Sequence, residues 1–255
     1  MKYKIILKTS YNNSKRVELC LSTWLKNLDY ICLTDLLTGK FNEISGSERT
    51  DYYSAEEKTV NFINLVKNTN QFDDYDWLVF IDDDAILNIK MFEYILPYLD
   101  KNCLYGLKMH GGFGKAPNLI FPSGGAGYFI SPSLIKKTNA MVNNDWGVED
   151  VSVGKWINDN KLNFCNYFII DGVRYELRLN GWFPFDSEKS KEQIKNNIIL
   201  TVEADQLVDV VENHDEKRIQ ILRCLTHHYI RTPVFMDYIH KCFTSWKISD
   251  LDLFK

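Results

Sequence analysis

Three consecutive acids, Asp82-Asp83-Asp84, directly follow the apolar run Trp77-Leu78-Val79-Phe80-Ile81, and Ala85-Ile86-Leu87 comes behind them. An apolar run that short reads as a buried strand, so the acids stand where a central strand leaves its sheet. Adjacent carboxylates repel one another, and such a cluster costs stability unless a cation neutralises it. A hard divalent ion held by oxygen ligands does this, and a nucleotide diphosphate commonly shares such an ion. A solvated acidic turn is the plainer alternative; the position at a strand end and the residues downstream favour the ion.

Three further groups point the same way. Glu149-Asp150 precedes an apolar-periodic stretch over residues 151–158, so both acids fall at or near a helix N-terminus. The helix dipole there stabilises a carboxylate as its anion. An ionised carboxylate can take a proton from a hydroxyl as a bond forms; simple helix stabilisation is the commoner role. Of His227-His228, one imidazole can complete a metal site otherwise made of carboxylates, a mixture that suits Mn²⁺ better than Ca²⁺. A structural histidine at a strand edge is the competing reading. The turn Ser123-Gly124-Gly125-Ala126-Gly127 lacks both the Gly-Lys-Ser/Thr of a P-loop and dinucleotide-binding spacing. Its small residues let backbone approach a ligand closely and adopt positive φ, although a tight turn feeding a buried strand has the same composition. Trp146 can stack on a sugar face or fill a core.

The elements that must position these residues alternate. Residues 3–7 read as a strand and 13–26 as a helix, with Val17, Cys20, Leu21, Trp24 and Leu25 on one face. Residues 30–33 read as a second strand ending in Thr34-Asp35. A polar loop with Gly39, Gly46 and Ser47 leads to a helix over 55–67, and the strand 77–81 then delivers the acids. A helix over 91–99, a strand over 104–109 and the apolar Tyr128-Phe129-Ile130 follow. Ser131-Pro132 opens another helix, serine as cap and proline as first residue. Beyond Asn180 the pattern weakens: 194–202 reads as a strand, 222–230 as an apolar stretch carrying the histidine pair, and 234–246 as an amphipathic helix packed on the domain. Strands alternating with helices imply an α/β fold with a largely parallel sheet covered on both faces. Ligands of such sheets gather beyond the carboxyl ends of the strands, where Lys8-Thr9, Thr34-Asp35 and Asp82–Asp84 would converge.

The 255 residues are enough for one large α/β domain, and 45% hydrophobic content allows a full core. No repeat or clear linker divides them. A net charge of −4 without a long basic run argues against a nucleic-acid partner. An anionic ligand remains compatible, because a bound metal supplies positive charge locally. The six cysteines form no Cys-x-x-Cys pair and read as free thiols of a reducing compartment. No segment is long enough to span a bilayer, and the opening residues are too short an apolar run for a signal peptide or anchor. The expectation is therefore a soluble intracellular or cytoplasmic protein, or one of the Golgi lumen if the chain is part of a longer one.

In order along the chain, these residues resemble glycosyltransferase family 31, which includes the Fringe enzymes, the core 1 galactosyltransferases and the β-1,3-N-acetylglucosaminyltransferases. Ile5-Ile6-Leu7-Lys8-Thr9 with Arg16 and Thr23-Trp24 is similar to the family's opening strand and helix. Thr34-Asp35 resembles its second strand end, Lys58 a lysine of its next helix, and Phe80-Ile81-Asp82-Asp83-Asp84 its metal motif. The glycine-rich turn running into Tyr128 resembles the family's own. Val148-Glu149-Asp150-Val151 with Gly154 is similar to its acidic catalytic motif, and His228-Tyr229 to its late histidine. The resemblance covers residues 3 to about 230, and the ordered combination is far more specific than any one member.

It implies a GT-A fold, a Rossmann-like sheet with helices on both faces, as one domain over 1–255. The nucleotide-binding part would span about 1–110, and the acceptor and catalytic part about 111–255. It implies an inverting, Mn²⁺- or Mg²⁺-dependent transfer of a hexose or N-acetylhexosamine from a UDP-sugar to a glycan or glycoprotein hydroxyl, as a β-1,3 linkage. By the same resemblance Asp84 and His228 would bind metal, with His227 as fallback. Asp82 would join them or, with Asp83, lie near the ribose, diphosphate or sugar. Thr9, Arg16, Asp35 and Lys58 would hold the nucleotide. Asp150 would be the base, with Glu149 second. Gly124, Gly125, Ala126 and Trp146 would shape the sugar and acceptor pocket, and residues 171–187 the acceptor side. Family members usually carry a signal anchor and disulfides, and this chain shows neither. Two alternatives stay open: a UDP-sugar-binding protein without transfer activity, and a metal-dependent phosphohydrolase using the acids as a two-metal site.

Overall fold

The computed structural model describes residues 1–111, 118–180, 222, 225–228, 230 and 233–254. The chain opens with strand β1 (Tyr3–Lys8), helix α1 (Ser14–Ser22), β2 (Tyr30–Thr34), β3 (Glu43–Ser45), α2 (Ser54–Asn68) and β4 (Trp77–Asp82). It continues with β5 (Ile86–Leu87), α3 (Ile89–Ile95), β6 (Cys103–Gly106), β7 (Lys108–His110), β8 (Ile120–Pro122), β9 (Tyr128–Ile130), α4 (Pro132–Lys137) and α5 (Glu149–Asp159). The later elements are β10 (Asn163–Cys165), β11 (Tyr167–Ile170), β12 (Val173–Glu176), β13 (Leu179–Asn180), β14 (Thr226–His227) and α6 (Pro233–Thr244).

Among the described residues, seven strands form the central sheet in the order β10-β6-β9-β4-β1-β2-β3. Neighbours β4-β1, β1-β2, β2-β3 and β6-β10 run parallel, whereas β9 runs antiparallel to both β4 and β6. Strand side chains alternate between faces, and with helices on both sides each face finds its own core. Ile5 and Leu7 of β1 and Val79 and Ile81 of β4 pack with Val17 and Cys20 of α1, Met91 and Phe92 of α3, and Met236, Ile239 and Phe243 of α6. Ile6, Leu78 and Phe80 pack on the other side with Val60, Phe62 and Ile63 of α2, Leu134 of α4 and Trp156 of α5. The α/β expectation holds, with one antiparallel strand inserted.

Several boundaries differ from expectation. Helix α1 stops at Ser22 because Thr23 leaves helical geometry and its hydroxyl caps Leu19 O at 2.7 Å, yet Trp24 and Leu25 stay in the core. The expected polar loop contains β3, whose three residues extend the sheet beyond β2. The helix expected over 91–99 begins two residues earlier under an Asn88 cap, and Pro97 converts its end to a 3₁₀ turn. The strand expected over 104–109 is two: β6 stays in the central sheet, and β7 leaves it to pair with β8. Among the described residues of 222–230, Thr226–His227 is the strand, while α6 matches the amphipathic helix expected near there. The strand expected over 194–202, residues 181–187 and Tyr229 lie outside the described residues. Cys20, Cys32, Cys103, Cys165 and Cys242 are free thiols. Among the described residues, no helix is long and apolar enough to cross a membrane.

Candidate active site

Parallel strands β1, β2 and β4 all end at one edge of the sheet, so their last residues arrive side by side. Lys8 stands in register with Leu33 and Asp82, Thr9 donates its N–H to Leu33 O at 3.1 Å, and Asp83 donates its N–H to Lys8 O at 3.1 Å. Because β9 runs the other way, the glycine turn preceding it reaches the same edge, with Tyr128 opposite Phe80. There a cleft of about 870 Å³ is lined by Lys8, Thr9, Arg16, Asp35, Lys58, all three acids, Gly124, Gly125, Glu149, Asp150 and His228.

Asp82, Asp84 and His228 each present one ligand atom within 4.8 Å of the others. His228 Nε2 lies 3.1 Å from Asp84 Oδ1 and 3.7 Å from Asp82 Oδ2. Two carboxylates and one imidazole fit a divalent transition cation, which takes both ligand types and holds them about 2.1 Å away. Strand alternation decides which histidine takes part. Strand β14 pairs antiparallel with β5, Thr226 opposite Leu87 and His227 opposite Ile86, and Ile230 donates its N–H to Asp84 O at 2.7 Å. Successive side chains point to opposite sides. His227 enters the core, fully buried and stacked on Phe243 of α6, while His228 faces the acids. The fallback ligand is therefore outside the cluster.

Asp83 turns away from its neighbours. Thr9 donates its hydroxyl to it at 2.6 Å and Arg16 Nη1 lies 3.3 Å away, while the Cys20 thiol donates to its carbonyl. Burial raises its pKa; the Thr9 hydrogen bond and the Arg16 charge oppose this, and the adjacent acids add to it. Lys58 is buried too and donates its ammonium to Thr9 O at 2.5 Å, and burial lowers its pKa. Asp35 accepts from Tyr11 N–H at 2.8 Å and from the Ser10 hydroxyl at 3.0 Å. Burial pushes its pKa up, but those hydrogen bonds and the Lys58 charge outweigh it and hold the carboxyl below its usual range. Thr9, Arg16, Asp35 and Lys58 thus all line the cleft, with Lys58 bonded to Thr9 and Arg16 meeting Thr9 through Asp83.

Glu149 and Asp150 differ sharply. Glu149 accepts from the Lys8 ammonium at 2.9 Å, the Tyr128 hydroxyl at 2.8 Å and the Thr59 hydroxyl at 3.4 Å. It is only 8% exposed, so both oxygens are engaged and neither is open to a new proton donor. Asp150 is held by N–H groups of Val151, at 2.9 Å, and Gly124. Its pKa is pushed up to about 6, first by burial and then by the Glu149 charge, with Lys8 and the N–H groups pulling back. This corrects the helix-dipole expectation: a first-turn dipole is a weak, screened effect, and removal from water beside a second carboxylate overrides it.

Gly124 and Gly125 allow the two halves to close on each other. A Cβ at Gly125 would stand 1.9 Å from His228 Cε1, and one at Gly124 would stand 2.3 Å from Glu149 Oε2 and 3.4 Å from Asp150 Cβ. No other residue fits either position without displacing the cluster. Ala126 is fully buried and accepts the Thr226 hydroxyl on its carbonyl at 2.6 Å, so it anchors β14 and lines no part of the cleft. Trp146 also stands outside the lining, and its backbone N–H goes to Glu56 at 2.8 Å.

The sequence brings Lys8 to the ligand edge of the sheet but gives it no role there. Its ammonium touches Asp82 Oδ1 at 3.1 Å, Glu149 at 2.9 Å and Gly124 O at 3.1 Å. Burial opposes its charge, but the facing carboxylates outweigh that and raise its pKa. A lysine closing an apolar strand run was the available signal, since a cation at a strand end beside acids neutralises them. Leu107, Met109, Tyr52 and Thr59 also line the cleft, without a distinctive pattern in the chain.

No protein-family model matches the chain, and no curated protein matches it. Among solved structures it is similar to the galactosyltransferase LgtC in complex with donor and acceptor sugar analogues, at 10% identity over 96% of this chain and 98% of that one, with a TM-score of 0.43. A glycosyltransferase involved in glycosylation of the major capsid of PBCV-1 overlays at 10% identity, 94% and 99% coverage, and a TM-score of 0.36. The glycosyltransferase GlyE of Streptococcus pneumoniae TIGR4 overlays at 13% identity over 99% of this chain and 62% of that one, with a TM-score of 0.42. What the cleft can do follows from its own residues.

Proposed function

We propose that the protein is a metal-dependent glycosyltransferase of GT-A type, acting as one unit over residues 1–255 and moving a hexose or N-acetylhexosamine from a UDP-sugar to a hydroxyl of a glycan or glycoprotein. The observation that carries this reading is one cleft holding Asp82, Asp84 and His228 as a ligand cluster together with Asp150, whose pKa is pushed up to about 6. The ordered resemblance to glycosyltransferase family 31 supports the same reading, including inversion and a β-1,3 linkage.

Asp82, Asp84 and His228 would hold a divalent cation, Mn²⁺ by the mixed ligand set, which supplies positive charge to the diphosphate leaving group when bound. Arg16 and Lys58 add cationic character on the nucleotide side, and Asp35 orders the Ser10-Tyr11 backbone there. Asp150, ionised above its raised pKa, accepts the proton of the acceptor hydroxyl. The freed oxygen forms its bond to the anomeric carbon as the bond to UDP breaks, and the electron pair leaves with the diphosphate. A base on the face opposite the leaving group gives inversion. Glu149, bonded to Lys8 and Tyr128, holds the lysine in place beside Asp82.

The test is UDP release from a panel of UDP-sugars with Mn²⁺ and mixed glycan acceptors. Wild-type protein releases UDP, and Asp84→Ala and Asp150→Ala each lose most of that rate. Full turnover in both variants ends the reading. UDP binding with no turnover on any acceptor would favour a binding protein, and release of phosphate from simple phosphate esters would favour a phosphohydrolase.

A further inference from the structure

Glu56 is a buried carboxylate that the chemistry above does not use. It lies in the first turn of α2 and is 1% exposed. A buried carboxylate ordinarily needs a basic partner, and among the described residues no lysine, arginine or histidine pairs with Glu56. Four hydrogen bonds do that work instead, all from one short stretch of chain. Oε1 accepts the Asn144 N–H at 2.7 Å and the Ser152 hydroxyl at 2.7 Å, and Oε2 accepts the N–H groups of Trp146 and Gly147, each at 2.8 Å.

Those donors bracket Asp150. Three belong to the loop that enters α5, and the fourth stands two residues past Asp150 in its first turn. The loop is conformationally demanding, with Asp145 at φ 54 and Gly147 at φ 70. Gly147 sits against the Tyr53 ring, where a Cβ would come within 2.9 Å. Arg49 adds an outer clasp, reaching Asp145 at 2.9 Å and Asp51 at 3.0 Å. The segment 49–56 therefore grips 144–152 from the outside and from within. Thr50, Asp51, Tyr52, Ser54 and Ala55 of that same segment line the cleft.

We propose that Glu56 is a positioning residue for Asp150: its carboxylate gathers the backbone N–H groups of the loop before α5 and the Ser152 hydroxyl, and so fixes where the helix starts and where its acid faces. This rests on the reading of Asp150 as the base. It also joins the cleft wall built by residues 50–55 to that base through one buried group.

Two measurements test it, one independent of activity. In the first, backbone amide exchange is followed by mass spectrometry in full-length Glu56→Gln. The amide nitrogen of glutamine faces N–H donors it cannot accept, so exchange over 144–152 rises about tenfold or more, while β1 and β4 keep wild-type protection. Ser152→Ala removes one bond of the four, keeps the protein folded, and moves exchange the same way by less. Unchanged exchange over 144–152 in both variants overturns the proposal. The second is a double-mutant cycle on Mn²⁺-dependent UDP release, using whichever UDP-hexose or UDP-N-acetylhexosamine the wild type turns over. Glu56→Gln lowers kcat about tenfold or more with the donor KM nearly unchanged, and Glu56→Gln/Asp150→Asn is no slower than Asp150→Asn alone. Losses that multiply show Glu56 acting apart from Asp150 and overturn the proposal. Full activity of Asp150→Asn removes the base assignment itself, and with it the positioning role; the exchange result then reports the tether alone, so the two failures are told apart.

Discussion

His228 Nε2 lies 3.1 Å from Asp84 Oδ1, while the neighbouring His227 faces the opposite way onto Phe243. The pairing of β14 with β5 produces both orientations at once, because a strand cannot send adjacent side chains to the same face. Adding Mn²⁺ should raise the melting temperature of the wild type by mass action. His228→Ala should abolish that rise while leaving the metal-free melting temperature within a few degrees. His227→Ala should do the reverse, lowering metal-free stability by about 2–4 kcal/mol through a core cavity yet keeping the response to Mn²⁺. Differential scanning calorimetry with and without metal separates the two.

The Gly125 position should tolerate no side chain. Its Cβ would fall 1.9 Å from the His228 ring, and that residue directly follows strand β14, which Thr226 anchors to Ala126 O, so the imidazole has little room to yield. Gly125→Ala is expected to weaken Mn²⁺ binding about tenfold or more and to abolish metal-dependent turnover, with the far-ultraviolet spectrum retained. Titration of the variant with Mn²⁺, read by electron paramagnetic resonance of the free ion, checks this.

Asp150 makes both rate and stability depend on pH. With a folded pKa of about 6, turnover should climb as pH rises through that value and level off above it. Stability runs the other way. The folded state holds its proton more tightly than the unfolded chain, whose aspartate ionises near the ordinary value of 3.8. This acid's contribution therefore falls as pH rises from about 4 to about 6 and stays low above that. Asp150→Asn should accordingly stabilise the protein at pH 7.5 by about 1–3 kcal/mol and make no difference near pH 3.5. Denaturant midpoints at both pH values measure the crossover, and a variant less stable than wild type at pH 7.5 would contradict the raised pKa.

Lys8 is the cation between Asp82 and Glu149, with its side chain 10% exposed and that of Glu149 8% exposed. Replacing it by methionine keeps the length but leaves carboxylates facing one another in a buried place. Breaking a buried pair by removing one partner typically costs about 3–5 kcal/mol. Lys8→Met should melt well below the wild type, and a second change, Glu149→Gln, should recover part of the loss. A chemical denaturation cycle over the four proteins gives the coupling.

The chain by itself determined the frame of this protein. Apolar runs at 3–7, 30–33 and 77–81, short and bounded by turns, read as buried strands between helices, and a parallel sheet of that kind brings Lys8-Thr9, Thr34-Asp35 and Asp82–Asp84 to one edge. Local pattern also placed the start of α5 and the small-residue turn. The tertiary structure decided the rest, because each remaining question turns on a partner far away in the chain. His228 was separated from His227 by the register of β14 on β5, which no spacing within 222–230 reveals. Glu149 was consumed by Lys8 and Tyr128, and Asp150 gained its raised pKa from burial and from the Glu149 charge beside it, overriding the helix dipole that local sequence suggests. Trp146 stands outside the cleft lining, and its own stretch of chain does not reveal that. Secondary structure follows from short-range periodicity, whereas the protonation and orientation of a buried side chain depend on the dielectric and the neighbours that only long-range packing supplies.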